Sequence, residues 1–284
     1  MNGIVNAYKP KGVSSHDVIY KVRRALNTRK VGHTGTLDPL AEGVLPICVG
    51  KATKIVEYIM AAEKEYLCTI NFGAETDTQD ITGSVTASSE KRITRVEFEE
   101  TLTLFVGSIK QIPPMYSAVH HNGERLYKLA RQGIEVERQP REITVFGIDI
   151  IKYEKDCADI LVRCSKGTYI RTLCEDIGRK TGTLAYMSAL KRTRSGVFTL
   201  ENCIPIEEIS EDKLIPIDAM FENCEKVVLN PTEKARVLNG VPVRRKCELG
   251  VKYRVYDEDG NLLCLSEGAQ DGNWQILKML KSFY

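Results

Sequence analysis

GHTGTLDPLA, residues 32–41, sets a single carboxylate, Asp38, between a Gly/Thr run and a proline. The local pattern leaves two readings open. In one, Gly32, Gly35 and Gly43 permit turns, Thr34 and Thr36 bond to nearby backbone, and Asp38 caps a helix starting at Pro39, a favoured first helical residue. In the other, the loop holds an aspartate out for chemistry. A glycosidase-like pair with Glu42 is disfavoured. Four residues apart, the two would lie side by side on one helix face, whereas glycoside cleavage needs carboxylates flanking the scissile bond.

Outward from this stretch, Ser15 to Leu26 predicts a helix: a serine cap, Asp17 in the first turn, and Val18, Ile19, Val22, Ala25 and Leu26 at helical spacing. Ala52 to Ala62 predicts another. Glu65 to Phe72 alternates, placing Tyr66, Cys68, Ile70 and Phe72 on one strand face. Thr94 to Glu97 is a capping box opening a helix toward Phe105, and Pro113-Pro114 ends regular structure there. A hairpin with an Asn122-Gly123 turn, a short basic amphipathic stretch over 124–132, strands at 142–153 and 158–171, and a helix from about Thr172 to Thr181 follow. From about Lys226 the pattern becomes short strands around an Asp259-Gly260 turn, closing near Trp274. Helices interleaved with hairpin-linked strands predict an α+β fold with a mixed or antiparallel sheet, followed by a small β-rich module. The expected division is 1–225 and 226–284, with the acidic segment before the tail as linker.

The 284 residues suffice for a large core, and the apolar and charged fractions of 43% and 27% are those of a globule. No apolar run reaches the ~18 residues of a membrane span, and the N-terminus lacks a signal peptide's order, so a cytoplasmic location is expected. Nine scattered cysteines without C-x-x-C spacing, and four histidines without H-E-x-x-H, predict reduced thiols and no metal. The net charge is only +2, but basic residues crowd the first 30 positions and 163–194, while 201–225 is acidic. If folding joins the two basic stretches, they form a groove for a polyanion; each alone is a solvated face.

Two further motifs fail. Gly43 to Ala52 ends like a phosphate loop, but six residues separate the glycines, Pro46 interrupts, and Ala52 stands where Ser or Thr would hold magnesium. Asp77 to Gly83 has the wrong acidic spacing for a calcium loop and reads as a polar turn.

The motifs in order are N-A-Y-K-P-K-G-V-S-S (6–15), G-H-T-G-T-L-D-P-L-A-E-G-V-L-P (32–46), K-E-Y (64–66) and C-S-K-G-T-Y-I-R-T (164–172). Together they resemble the TruB family of tRNA pseudouridine synthases over roughly the first two hundred residues. The tail resembles the small PUA-like RNA-binding modules that end such enzymes. The resemblance implies isomerisation of uridine 55 in the T-stem-loop of tRNA to pseudouridine, without cofactor, metal or obligatory protein partner, by a monomer.

It also implies roles for particular residues. Asp38 becomes the essential aspartate, ionised at neutral pH and ready to act at C1′, C6 or the C2′ proton, with the route left open. Arg171 becomes the fixed cation whose planar fork grips that carboxylate. Tyr66 stacks on the target base and assists proton removal. Tyr169, two residues before Arg171 on the expected strand, faces the same pocket, and Leu190 supplies an apolar wall. His33 fills the space left by the flipped base. Lys9 supports the catalytic loop or contacts phosphate. Residues 120–141 match an RNA-gripping insertion. The alternatives are a non-catalytic tRNA-binding or folding module, and a guide-RNA-dependent synthase of the archaeal and eukaryotic branch.

Overall fold

A computed structural model describes residues 1–284. In chain order it forms β1 (Gly3–Lys9), α1 (Ser15–Ala25), β2 (Val31–His33), β3 (Glu42–Val49), α2 (Val56–Ala61) and β4 (Lys64–Phe72). A hairpin of β5 (Ala74–Thr76) and β6 (Val85–Ser88), then α3 (Arg95–Thr103) and β7 (Gly107–Gln111), lead to a short hairpin, β8 (His120–His121) and β9 (Glu124–Arg125), and α4 (Leu126–Arg131). Next come β10 (Arg141–Tyr153), β11 (Cys157–Cys164), α5 (Ile170–Thr181), β12 (Ala185–Ser195), β13 (Phe198–Thr199) and β14 (Ile204–Pro205). The tail holds β15 (Glu225–Val228), α6 (Pro231–Leu238), β16 (Val243–Arg244), β17 (Lys252–Tyr256), β18 (Leu262–Asp271) and β19 (Trp274–Ser282).

The strands build one mixed ten-stranded sheet in the order β14-β1-β3-β12-β4-β11-β10-β7, with β2 on β3 and β13 on β12, and a separate five-stranded sheet, β15-β17-β18-β19-β16. The expected α+β class with a mixed sheet and a β-rich tail is what forms. On β4, Cys68, Ile70 and Phe72 are buried, as the alternation predicts, because successive side chains of a strand point to opposite faces. α1 lays Val18, Ile19 and Val22 against the core behind a Ser14 capping box, and α3 opens on the predicted Thr94–Glu97 box. No helix is long and apolar enough to cross a membrane.

Four expectations need correction. No helix starts at Pro39: Ala41 N–H closes a turn on the Asp38 carbonyl at 3.0 Å, and the chain enters β3 at Glu42. Glu42 therefore shares no helix face with Asp38 and pairs with Lys191 at 2.9 Å. The strand expected over 158–171 stops at Cys164, because Gly167 turns the chain at φ +82° and α5 begins at Ile170. Finally, the acidic segment 201–225 is no free linker. Its Ile217 and Phe221 join a buried cluster with Ile4, Val44 and Cys48 of the large sheet and Leu265 and Phe283 of the tail. Apolar residues set between the acids anchor it while most of the carboxylates face water; Asp218 is half-buried and accepts from the Tyr256 hydroxyl at 2.7 Å.

Candidate active site

Asp38 sits on the loop between β2 and β3, which is tied down from several sides. Thr34 bonds the Pro46 carbonyl at 3.1 Å through its backbone N–H and again at 3.1 Å through its hydroxyl. Ser15 Oγ donates to the Leu37 carbonyl at 2.9 Å and accepts from Leu37 N–H at 2.8 Å, joining the loop to α1. Lys9 is fully buried, and its ammonium donates to the Ala41 carbonyl at 2.6 Å and the Pro10 carbonyl at 3.0 Å. Burial pulls its pKa down to about 8 against the opposing pull of Asp38. Lys9 does not reach the cavity, so of its two expected tasks the geometry offers loop support and not phosphate contact.

Across the cavity, Tyr169 is the N-cap of α5 and Arg171 lies in its first turn. The two face one cavity because a helix start, and not a strand, presents them. Gln111 clamps this start: its amide donates to the Tyr169 carbonyl at 3.0 Å and its oxygen accepts from Tyr169 N–H at 2.8 Å. The Arg171 guanidinium is held on every side. Nε meets Asp38 Oδ2 at 3.0 Å, Nη1 donates to the Thr78 carbonyl at 3.1 Å and Nη2 to the Tyr116 carbonyl at 2.8 Å. A second carboxylate, buried Asp80, lies 3.8 Å from Nη1. Asp80 is in turn fixed by Thr78 Oγ1 at 2.8 Å and Thr82 N–H at 2.9 Å.

A cavity of about 270 Å³ opens between these elements, with Asp38, Tyr66, Tyr169, Arg171, Leu190 and Arg192 among its walls. The Arg171 side chain is 5% exposed and that of Asp38 is 38% exposed, so the cation is locked beneath a carboxylate that still meets solvent. Burial pushes the Tyr66 and Tyr169 phenols above their ordinary range, leaving two neutral flat faces at pH 7. His33 does not line the cavity. It ends β2 beside the loop, accepts from Gly35 N–H at 3.3 Å through Nδ1, and burial with Arg192 nearby holds its imidazole below the usual range, hence neutral at pH 7.

Sequence reasoning missed three contributors. Arg192, counted in a basic stretch, is 2% exposed and donates to the carbonyls of Val44 at 2.7 Å and Gly35 at 3.2 Å. Its place two residues after Leu190, on the same strand face, was the available signal. Lys64, buried, donates to the backbone carbonyls that end α2, and burial with Arg192 nearby lowers it to about 8. Asp80 lay within the stretch weighed only as a calcium loop. Several members of the second basic stretch are engaged inside the chain, including Arg163 with Asp149, Lys191 with Glu42 and Arg194 with Glu63. Lys166 lines the cavity mouth.

Residues 23–170 match the family model described as TruB family pseudouridylate synthase (N terminal domain), and residues 171–235 match that of the tRNA pseudouridylate synthase B C-terminal domain. The chain is 46% identical over 292 residues to tRNA pseudouridine synthase B of Clostridium perfringens (strain 13 / Type A), covering 99% of each protein. It is 41% identical over 295 residues to the protein of the same name from Syntrophomonas wolfei, covering 100% of this chain and 99% of that one. Among solved structures, a Cbf5-Nop10-Gar1 complex contains a chain with a TM-score of 0.73 and 26% identity, over 99% of this chain and 85% of that one. An H/ACA RNP bound to a substrate RNA containing 2′-deoxyuridine contains a chain of the same fold, with a TM-score of 0.73 at 24% identity and the same coverage.

Proposed function

The chain belongs to the TruB family of pseudouridylate synthases, and from that membership we propose that it isomerises uridine 55 in the T-stem-loop of tRNA through Asp38. The reaction breaks the N1–C1′ bond, turns the uracil, and joins C1′ to C5. C5 loses its proton and N1 gains one, so mass and oxidation state do not change. Residues 1–225 form the catalytic unit, with 120–141 as the RNA-gripping insertion, and 226–284 form the PUA-like RNA-binding unit. The protein acts alone, as a monomer, with tRNA as its substrate.

The observation that carries this reading is the 3.0 Å pairing of Asp38 with Arg171 in a cavity walled by Tyr66, Tyr169 and Leu190. Uracil inside a folded loop must be flipped out before any group can reach its glycosidic bond, at a cost of a few kcal/mol. Stacking on an aromatic face returns ~1–3 kcal/mol per base, which Tyr66 and Tyr169 are placed to supply, with Leu190 closing the apolar side. Arg171 orients one Asp38 oxygen, and the carboxylate's exposure leaves the other accessible to the nucleotide. The neutral His33 ring, beside the loop, is the group assigned to the gap left in the RNA stack.

Incubation of the purified chain with an unmodified tRNA transcript and no other component should produce pseudouridine at position 55, mapped by carbodiimide modification. A requirement for guide RNA or a protein partner would overturn the stand-alone reading. Asp38→Asn should bind tRNA with an affinity near that of the parent while product formation disappears. Undiminished product would reject the assignment of Asp38.

A further inference from the structure

Trp274 is the chain's only tryptophan, and it is 56% exposed. It opens β19, across the hairpin turn from Asp271. β16 pairs with the same strand, setting Arg244 opposite Ile276, and from there the Arg244 guanidinium lies over the indole with its carbon 4.9 Å from the ring centroid. One face of the ring is thereby covered by a cation while more than half of the residue stays open. Arg245 and Lys246 continue the basic run. A shallow cavity of about 560 Å³ follows, lined by these three cations, the indole and three amide side chains, with no carboxylate in its wall. Arg245 is already engaged, donating to the Val228 carbonyl at 3.1 Å and pairing with Glu233 at 3.5 Å. Arg244 and Lys246 form no ion pair.

A large aromatic ring left in water and clasped by arginine does little for the core. Its flat face suits a nucleobase, the cations suit phosphate, and the Asn273 amide matches the donors and acceptors of a base edge, whereas Gln270 already donates to the Gly272 carbonyl at 2.8 Å and Gln275 accepts from Cys247 N–H at 3.3 Å. Within a duplex the bases stay stacked on each other, out of reach of such a ring. We propose that this face of the tail is a stacking site for an unpaired RNA nucleotide, with its base on Trp274 and its flanking phosphates on Arg244 and Lys246. The proposal rests on the reading of the chain as an RNA-modifying enzyme and adds a contact outside the Asp38 cavity.

Because Trp274 is the sole tryptophan, its emission reports directly on the site. Titrating the full chain with unmodified tRNA, and with a short single-stranded RNA, should quench that emission saturably, whereas a fully paired RNA duplex should quench it far less. Trp274→Ala should weaken tRNA binding about tenfold to a hundredfold in a filter assay. Arg244→Ala, which keeps the fluorophore, should lower both the affinity and the salt dependence of binding. The kcat/KM of either variant for tRNA should fall in step with its loss of affinity. Emission unmoved at tRNA concentrations that saturate turnover, or parental affinity in Trp274→Ala, would overturn the site. A parent protein that binds tRNA but forms no pseudouridine would instead overturn the catalytic reading and leave this site standing.

Discussion

An arginine side chain at 5% exposure is tolerable only when its charge and its donors are met, and Arg171 meets Asp38, two carbonyls and, at longer range, Asp80. The fork shape matters more than the charge, since one ammonium cannot reach Asp38, Thr78 and Tyr116 together. Arg171→Lys should therefore leave at least one of those carbonyls unpaired, costing about 1–3 kcal/mol in stability. It should also let the carboxylate drift, lowering single-turnover isomerisation on the order of a hundredfold, while tRNA affinity changes little. Parental rates in that variant would mean that Asp38 is positioned by its loop alone. Lys9 teaches the complementary lesson. Its motif was readable, but a lysine in sequence looks the same whether it faces phosphate or is sealed beneath a loop, and only its full burial against the Ala41 and Pro10 carbonyls separates the two.

Where β3 and β12 meet in parallel, Gly43 stands opposite Arg192, with φ +107° and room for no side chain. An added Cβ would lie 2.3 Å from the Arg192 carbonyl oxygen. Gly43→Ala should force the strands apart beneath the cavity and cost ~2–4 kcal/mol in urea unfolding. α5 carries a different kind of stress. Burial, with Glu75 adding to it, pushes Asp176 up to about 6 from its ordinary 3.8. Between those values the native state holds a proton that the unfolded chain has lost, so stability falls as pH rises through that window. Asp176→Asn should be more stable than the parent at pH 7 by ~1–3 kcal/mol, with the difference gone below about pH 4. Urea unfolding at both pH values checks this, and an equal gain at the two would exclude ionisation as the cause. Most elements were legible in the chain itself: the β4 alternation, the serine-capped α1, the capping box of α3, and the Asn122-Gly123 hairpin. β3 and β12, both close to the centre of the large sheet, were not. β3 is apolar and buried along nearly its whole length, so it carries no period, while on β12 the inward position 192 is an arginine, which reads as surface until its burial is seen.

At the scale of the whole molecule, the tail is joined to the large sheet by apolar packing: Leu265 and Phe283 share one buried cluster with Ile4, Val44, Cys48 and Phe221. Full burial of such a side chain is worth ~1.5–3 kcal/mol. A chain ending at residue 225 should accordingly melt roughly 5–20 °C lower and self-associate through the uncovered patch. An unchanged melting temperature by calorimetry would show that the two sheets are energetically independent. By itself the sequence determined the kind of chain this is: an α+β protein whose ordered motifs mark a pseudouridylate synthase, with Asp38 on a glycine-flanked loop. Those properties reside in neighbouring residues and in short periods, where backbone propensity and patterning act. Only tertiary structure decided that Arg171 reaches Asp38 from a helix start, that Arg192 and Lys9 are sealed supports, and that Trp274 and Arg244 share an open face. Each of these depends on which groups lose their water and which distant partner replaces it, and that is fixed only when the chain has closed.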